Sequence, residues 1–347
     1  MVVASLQVWV GSMAVPPTGD GDGHGHQKGQ VDPIGGQAIL EGVMMRGRTS
    51  WGLAVRHPSG GIERRSFPLF LVGERYPLLK KPVIRGVVTL GESLSLGIKA
   101  LRMSADLSLE GKNPAEEGQA EAQEEAGPVS LRWHEWALTV GGALVVAVLL
   151  FVVIPLALVK YFEDTFSNPF VFNLVEGLIR IAIFLLYVTG VSLIPDLRRV
   201  FEYHGAEHKA IHAYEHGEPL DVEHVSRFTT RHPRCGTAFL LVVMVVAILV
   251  FSLVGKPSLW VLVVSRLIGI PFVAGISYEV IRYAGRHQDG RFARIVSWPG
   301  LTLQRLTTRE PDVQQVEVAI AVLVEVLRVE EGGEPVPGRV PQMVPVL

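Results

Sequence analysis

Four histidines between positions 204 and 216 recur every four residues. A glutamate lies between the first and second of them, and another lies between the third and fourth. The chain reads HGAEH from His204 and HAYEH from His212. On an α-helix, residues four apart lie one turn apart on the same side, so His204 and His208 can bind one metal ion between them. Glu207 lies beside them, where it can ligate the ion or act as general base for an activated water. Because H-x-x-E-H is the inverzincin signature, the first copy predicts a hydrolytic metal site.

Further candidate ligands follow in the same loop. They are Glu215 in the second copy, and His232 and Cys235 just before an apolar segment. A catalytic zinc site has three protein ligands and one open position, so any of these three can complete the set begun by His204 and His208. The sequence leaves that choice open, and it predicts a divalent cation, zinc by preference, as the cofactor.

Other interpretations of the histidine cluster stay open. The histidines can be hydrogen-bonded polar residues at a membrane interface that bind no metal, or a cluster that responds to pH. Cys235 can be a small apolar residue that packs at a helix start. His216 precedes Gly217 and Pro219, where a helix should end, so we expect it to be a cation at a helix C-terminus rather than a ligand.

The rest of the chain is dominated by apolar segments. Its residues are 48% hydrophobic, with a mean hydropathy of +0.33 and a formal net charge of −2, so no nucleic-acid partner is expected. Residues 137–159, 174–195, 236–254 and 259–281 are long and apolar enough to cross a bilayer. The composition therefore predicts a mostly α, polytopic membrane protein with about four transmembrane helices, whose partner is the lipid bilayer. For the second and fourth spans, which contain charges, a buried hairpin in a soluble domain is the alternative.

Two of the predicted spans contain arginines, Arg180 and Arg266. Ionisable residues inside a membrane are candidates for a transport or substrate pathway. Arg180 also lies four residues after Glu176, and such a pair neutralises itself on a helix without any function. The sequence does not decide between these roles.

The distribution of basic residues predicts the orientation. The loop over 196–235 contains most of the loop cations, namely Arg198, Arg199, Lys209, Arg227, Arg231 and Arg234. The positive-inside rule places this loop and both termini in the cytoplasm. That compartment keeps Cys235, the single cysteine, reduced and available as a thiolate ligand.

Composition also predicts the domain organisation. The units are a disordered tail (1–33), a small cytosolic β-rich unit with an amphipathic helix (34–103), a flexible acidic linker (104–130), the four-helix membrane domain with its His-rich loop (131–295), a C-terminal cytosolic segment with an amphipathic helix (296–330) and a mobile tail (331–347). Within the β-rich unit, residues 38–45, 53–56 and 62–67 are strand-like. The helix over 83–103 is expected either to lie in the membrane interface or to pack on a core. The C-terminal helix is expected over Pro311 to Arg328, with Val313, Val316, Ile320, Leu323 and Leu327 along one side.

Four motifs together resemble a known family. They are the segments 35–46 (GGQAILEGVMMR), 203–209 (YHGAEHK), 232–237 (HPRCGT) and 299–311 (PGLTLQRLTTREP). In this order they resemble the bacterial YqhQ-like family of multi-pass membrane proteins, which are built on a domain of unknown function. The resemblance implies a bacterial inner-membrane protein and, through the family's label as metal-dependent enzymes, a site at His204, Glu207, His208, His232 and Cys235. It supplies no substrate.

The sequence therefore favours a metal-dependent, hydrolase-like enzyme with its site on the cytosolic face. Glu207 is the expected general base, and the substrate is an unidentified molecule near the cytosolic membrane surface. The rival is a non-catalytic protein, either a transporter-like bundle or a scaffold, with a structural metal or no metal. A structural site is closed by four protein ligands, whereas a catalytic site keeps one position open.

Overall fold

The computed structural model describes residues 34–71, 73, 76–110, 133–166, 168–255, 258–287 and 290–336. The predicted tail over 1–33, the linker from 111 onward and the last residues of the C-terminal tail lie outside these ranges.

A four-stranded antiparallel sheet opens the described chain. Its strands, in spatial order, are β1 (Gly35–Ile39), β2 (Gly42–Arg46), β3 (Ser50–Arg56) and β4 (Ile62–Pro68). The single strand predicted over 38–45 was wrong, because a turn at Leu40 and Glu41 divides it into β1 and β2. Glu41 adopts a φ of +49°, a backbone conformation that residues other than glycine rarely take. Because the residue here is not glycine, the sequence gives no sign of this turn. Gly42 follows because a Cβ there would lie 2.2 Å from the carbonyl oxygen of Ala54.

Ten helices follow the sheet in the described residues. They are α1 (Ile84–Glu110), α2 (Trp133–Val148), α3 (Ile154–Tyr161), α4 (Pro169–Ser192), α5 (Pro195–Glu215), α6 (Val222–Ser226), α7 (Gly236–Phe251), α8 (Leu259–Arg286), α9 (Arg291–Thr307) and α10 (Val313–Glu330). A π-helical turn, Leu149–Val153, joins α2 to α3, and short 3₁₀ turns cover Pro77–Lys80 and Glu163–Thr165. The protein is thus mostly helical with a small N-terminal sheet.

Both faces of the sheet are buried. One face packs against α5 and α10, and it includes Ala38, Val43, Met45 and Ala54. The other packs against Leu96, Ala100, Met103 and Leu107 of α1, and it includes Ile39, Met44, Trp51, Leu53 and Val55. Successive strand residues point to opposite faces, so a sheet covered on both sides has continuous apolar strands. This explains why Val43 and Met45 on one face and Met44 on the other are all apolar in the first motif.

The helix α1 packs on a core, which is the second of the two predicted alternatives. It also continues to Glu110. The predicted linker over 104–130 was therefore wrong at its start, because the buried Leu107 contacts the sheet and keeps this part helical.

Three helical segments are long and apolar enough to cross a membrane in the described residues, namely Leu138–Tyr161, Pro169–Ser192 and Leu259–Arg286. They correspond to the first, second and fourth predicted spans. The second lies several residues earlier than predicted, since Asn168 caps its start and Pro195 begins the next helix. The third predicted span is α7, a helix of 16 residues. At 1.5 Å per residue its length is about 24 Å, which is less than the ~30 Å of a hydrocarbon core.

The charges inside these helices form one buried group. Arg180 pairs with Glu176 four residues earlier, as one predicted alternative requires, and its Nε donates to the carbonyl oxygen of Phe151 at 2.8 Å. Arg266 lies 3.6 Å from the second oxygen of Glu176 and over the ring of Phe251. The Glu176 carboxylate therefore forms ion pairs with two guanidinium groups.

The C-terminal helix is confirmed as α10. Asp312 begins it, and a capping box with Gln315 satisfies its first backbone N–H groups. Val316 and Leu323 are buried as predicted, whereas Val313 is 57% exposed and Val322 and Val326 belong to the core instead. The helix α9 before it was not predicted.

Candidate metal centre

The helix α5 presents the first H-x-x-E-H copy to a small buried cavity. Its side chains are held by the hydrophobic core that α5 shares with the sheet and α10. His204, Glu207 and His208 are 3%, 4% and 2% exposed. Cys235, which is 5% exposed, enters the same cavity from the residue that precedes α7. The two motifs, 27 residues apart between His208 and Cys235, therefore meet in space.

The donor atoms of this group are close enough for one metal ion. The Sγ atom of Cys235 lies 3.3 Å from the Nε2 atom of His204. One donor atom from each of His204, His208 and Cys235 lies within 4.8 Å of the others. A tetrahedral zinc ion with bonds of ~2.0–2.3 Å places its ligands ~3.3–3.6 Å apart, so only a small contraction is needed.

Backbone carbonyls orient both imidazoles. The Nδ1 atom of His204 lies 2.7 Å from the carbonyl oxygen of Thr307, and Nδ1 of His208 lies 2.6 Å from that of Thr230. A carbonyl can only accept, so each Nδ1 carries the hydrogen and each Nε2 presents a lone pair. Histidine ligands of metals characteristically donate their other ring N–H in this way.

Burial keeps this group uncharged in the absence of a cation. It lowers the pKa of His204 to about 4, and together with the neighbouring His204 and His232 it lowers the pKa of His208 well below its usual value. Burial also raises the pKa of the Cys235 thiol to about 12. At neutral pH both imidazole rings are therefore neutral, and each can bind a metal through the lone pair of Nε2. The thiol, in contrast, must lose its proton to bind a metal.

Glu207 lies against strand β1. The N–H of Gly36 donates a hydrogen bond to its carboxyl group, yet burial dominates and raises the pKa of Glu207 to about 8. A Cβ on Gly36 would lie 2.8 Å from both Cγ and Oε1 of Glu207. Gly36 is thus required because β1 approaches this carboxyl group closely.

The predicted ligands Glu215 and His232 belong to a second group, with His212. Nε2 of His232 lies 3.1 Å from Glu215, and the guanidinium of Arg234 lies 2.8 Å from the other oxygen of that carboxylate. The N–H of Arg234 donates to Nδ1 of His232 at 3.2 Å, so the neutral His232 ring carries its hydrogen on Nε2 and donates it to Glu215. The structure therefore divides the predicted ligand set into two adjacent groups.

The loop that carries His232 and Cys235 is held by α9. The side-chain oxygen of Gln304 accepts from the N–H of His232 at 2.7 Å, and its amide nitrogen donates to the carbonyl oxygen of His232 at 2.8 Å. Gly205, inside the H-x-x-E-H copy, allows the chain after α9 to approach, since a Cβ there would lie 2.0 Å from the carbonyl oxygen of Arg309. The fourth motif thus supports the site through Gln304 and Thr307.

Sequence reasoning did not assign Gly36, Thr230, Gln304 or Thr307 to the site. Three of them lie in the motifs that carried the family resemblance, and all four motifs converge here. For Gly36, Gln304 and Thr307, their position in those motifs was the sequence signal that could have assigned them to the site. His216 lies at the C-cap of α5 with its Nδ1 2.7 Å from the carbonyl oxygen of His212, as expected for a residue at the helix end.

The cavity has a volume of about 20 Å³ and is lined by residues of both groups, including His204, Glu207, His208, His232 and Cys235. A water molecule needs ~10–15 Å³, so about one water fits. Ile34, Gly35 and Gly36 form part of its wall, so the start of β1 borders the donor atoms.

Comparison with known proteins agrees with the motif resemblance. The family model described as "Protein of unknown function (DUF1385)" matches residues 81–329, so the sheet precedes the matched region. The uncharacterized protein YqhQ of Bacillus subtilis (strain 168) is 36% identical over 306 residues, which cover 87% of this chain and 95% of that protein. No solved structure matches the chain.

Proposed function

This chain belongs to the DUF1385 family of proteins of unknown function, and from its site we propose that it is a metal-dependent, hydrolase-like enzyme. Its centre uses His204, His208 and Cys235 as ligands and Glu207 as general base. The proposal further places the centre at the cytosolic face of a bacterial inner membrane.

One observation carries the metal proposal. Both imidazoles of the first H-x-x-E-H copy donate through Nδ1 to backbone carbonyls, and both Nε2 lone pairs and the Cys235 sulfur line one cavity. These hydrogen bonds fix the tautomer that leaves Nε2 of each ring able to bind a metal. Two nitrogen donors and one sulfur donor form a set that suits zinc.

The chemistry follows from the residues around that set. A divalent ion held there supplies Lewis-acid activation of water. Glu207 is the one carboxyl next to the two histidines in α5, and it is positioned to take up the proton of the attacking water and return it to the leaving group. The Gly36 N–H holds this carboxyl in place.

The topology supports a fourth membrane crossing. The sheet, α5 and α10 share one hydrophobic core, so they lie on the same side of the membrane. An even number of crossings must therefore separate α5 from α10, and among the described residues between them only α7 and α8 are strongly apolar helices. If α8 crosses, α7 crosses too, and local thinning of the bilayer can accommodate its shorter length. The basic loop over 196–235 then supports the cytoplasm as this side of the membrane.

Metal analysis of the detergent-purified protein, prepared without chelators, tests the centre. We expect about one equivalent of a divalent metal in the wild type and a near-complete loss in the His204→Ala/His208→Ala variant. His216→Ala is the matched control, because it removes an exposed histidine from the same helix and should keep the metal. Equal, near-zero metal in wild type and double variant would overturn the proposal.

A second candidate function is a closed, structural metal site in a non-catalytic membrane protein. The small volume of the cavity favours it. Cobalt(II) substitution separates the two: an open position predicts a change of the visible spectrum when azide or a small hydroxamate is added, and a closed site predicts none. Glu207→Gln should leave the metal bound in both cases, but alter the pH dependence of that spectrum only if the position is open.

A further inference from the structure

One side of α9 is exposed and carries large apolar residues. Phe292, Ile295 and Trp298 are 46%, 70% and 68% exposed. Their spacing of three residues places them along one side of the helix. In the ranges that the structure describes, this is an apolar surface on a helix too short and too polar to be a membrane span.

The packing of the C-terminal half of α9 shows how deep in the membrane the helix lies. Leu303 and Leu306 pack against Phe184 and Val188 of α4 and against the first turns of α7. Val188 lies about one turn, and Phe184 about two turns, before the end of α4 at Ser192. The helix therefore runs beside the ends of the membrane-crossing helices, where the acyl chains give way to headgroups.

The charge of α9 fits the same environment. It contains three arginines, Arg291, Arg294 and Arg305, and no acidic residue. All three are exposed, on or beside the apolar side. Tyr283, at the end of α8 and 54% exposed, contacts the edge of the Phe292 ring with a centroid distance of 5.6 Å. Aromatic rings and arginines side by side are typical of the interface between membrane and water.

We propose that α9 is an interfacial helix resting on the cytosolic leaflet of the bilayer. Phe292, Ile295 and Trp298 enter the boundary of the acyl chains, and the arginines bind the lipid phosphates. The inference rests on the proposed membrane insertion and adds to it the depth of the centre: Gln304 and Thr307 of the same helix hold the metal-site residues, so the site lies at headgroup depth.

Site-directed spin labelling tests this placement. Ile295→Cys, Leu186→Cys and Ser59→Cys would be labelled with a nitroxide and placed in vesicles of phosphatidylethanolamine and phosphatidylglycerol. The wild type gives the background, which should be low because Cys235 is buried. Leu186 is 73% exposed on α4, about 9 Å along the helix from its end at Ser192, and Ser59 lies on an exposed turn of the sheet, so they serve as lipid and water references.

The expected result is that oxygen relaxes the label at position 295 more strongly than a water-soluble nickel chelate does. The ratio of relaxation by oxygen to relaxation by the nickel chelate should lie between the ratios at positions 186 and 59. If position 295 behaves like position 59 while 186 is lipid-exposed, the interfacial helix is wrong and the membrane insertion stands. If 186 is itself water-exposed, the membrane insertion fails, and this inference fails with it.

Discussion

The Nδ1 atom of His204 lies 2.7 Å from the carbonyl oxygen of Thr307, 103 positions later in the chain. This contact ties the histidine helix to the end of α9 through a backbone atom. It means that the tautomer of His204 depends on where α9 ends rather than on a side chain. The integrity of the centre is thus coupled to segments that contain no candidate ligand.

Gly36→Ala should disturb the centre through Glu207. The new methyl group would lie 2.8 Å from the carboxyl, so either β1 or Glu207 must shift. We expect a loss of stability of about 1–3 kcal/mol, measured from thermal unfolding in detergent, together with an altered cobalt spectrum. Gly61→Ala is the control, because no atom lies within 4 Å of its Cβ position; it should change neither quantity. An unchanged spectrum in Gly36→Ala would show that Glu207 is not held by β1.

Gly205→Ala separates helix propensity from packing. In an open helix this change stabilises by up to ~1 kcal/mol, and we expect that gain for Gly91→Ala in α1, where no atom lies within 4 Å. At position 205 the methyl group would lie 2.0 Å from the backbone oxygen of Arg309, which cannot rotate away. The net effect should be a loss of about 1–3 kcal/mol in the unfolding free energy. A gain in stability at both positions would mean that α5 and the segment after α9 are not in contact.

The sequence predicted those features of the site that depend on local spacing, and missed those that depend on backbone atoms of distant segments. The four-residue interval placed His204, Glu207 and His208 together, because helix geometry is local. The carbonyl of Thr307 and the N–H of Gly36 have no side-chain signature, so their roles follow only from the fold. The same is true of the turn at Glu41, which lacks the glycine or asparagine typical of a tight hairpin.

Gln304→Ala should loosen the loop that carries Cys235. Its amide makes both an accepted and a donated hydrogen bond with the backbone of His232, and both groups are buried. Leaving them unsatisfied should cost about 1–3 kcal/mol of stability and lower metal retention during dialysis. Gln314→Ala, on the exposed side of α10, is the matched control and should have little effect. Full metal retention in Gln304→Ala would show that the loop is positioned without this clamp.

Cys235→Ser should remove the sulfur signature of the centre. Cobalt(II) bound to a thiolate gives intense near-ultraviolet charge-transfer absorption, whereas oxygen and nitrogen ligands do not. We expect that absorption in the wild type and its loss in Cys235→Ser, with weaker metal binding, because the hydroxyl is a poor ligand for zinc-like ions. His216→Ala should keep the absorption. If the cobalt-loaded wild type lacks the charge-transfer absorption, Cys235 is not a ligand.

Metal affinity should rise with pH. Without metal, the thiol of Cys235 has a pKa of about 12 and the carboxyl of Glu207 a pKa of about 8, so both are protonated at pH 7. Binding a cation expels the thiol proton and, through its charge, favours loss of the carboxyl proton, whereas the neutral His204 and His208 release none. Each released proton changes the affinity about tenfold per pH unit, so the dissociation constant should fall about a hundredfold per unit between pH 6 and 7.

Glu207→Gln is the decisive variant for this pH dependence, because it removes one of the two protons and leaves the ligands intact. Its dissociation constant should fall only about tenfold per pH unit. The measurement is a competition titration of cobalt or zinc against a chromophoric chelator across this pH range. Equal slopes in the wild type and in Glu207→Gln would place the carboxyl outside the field of the bound ion, which would rule it out as the general base of the centre.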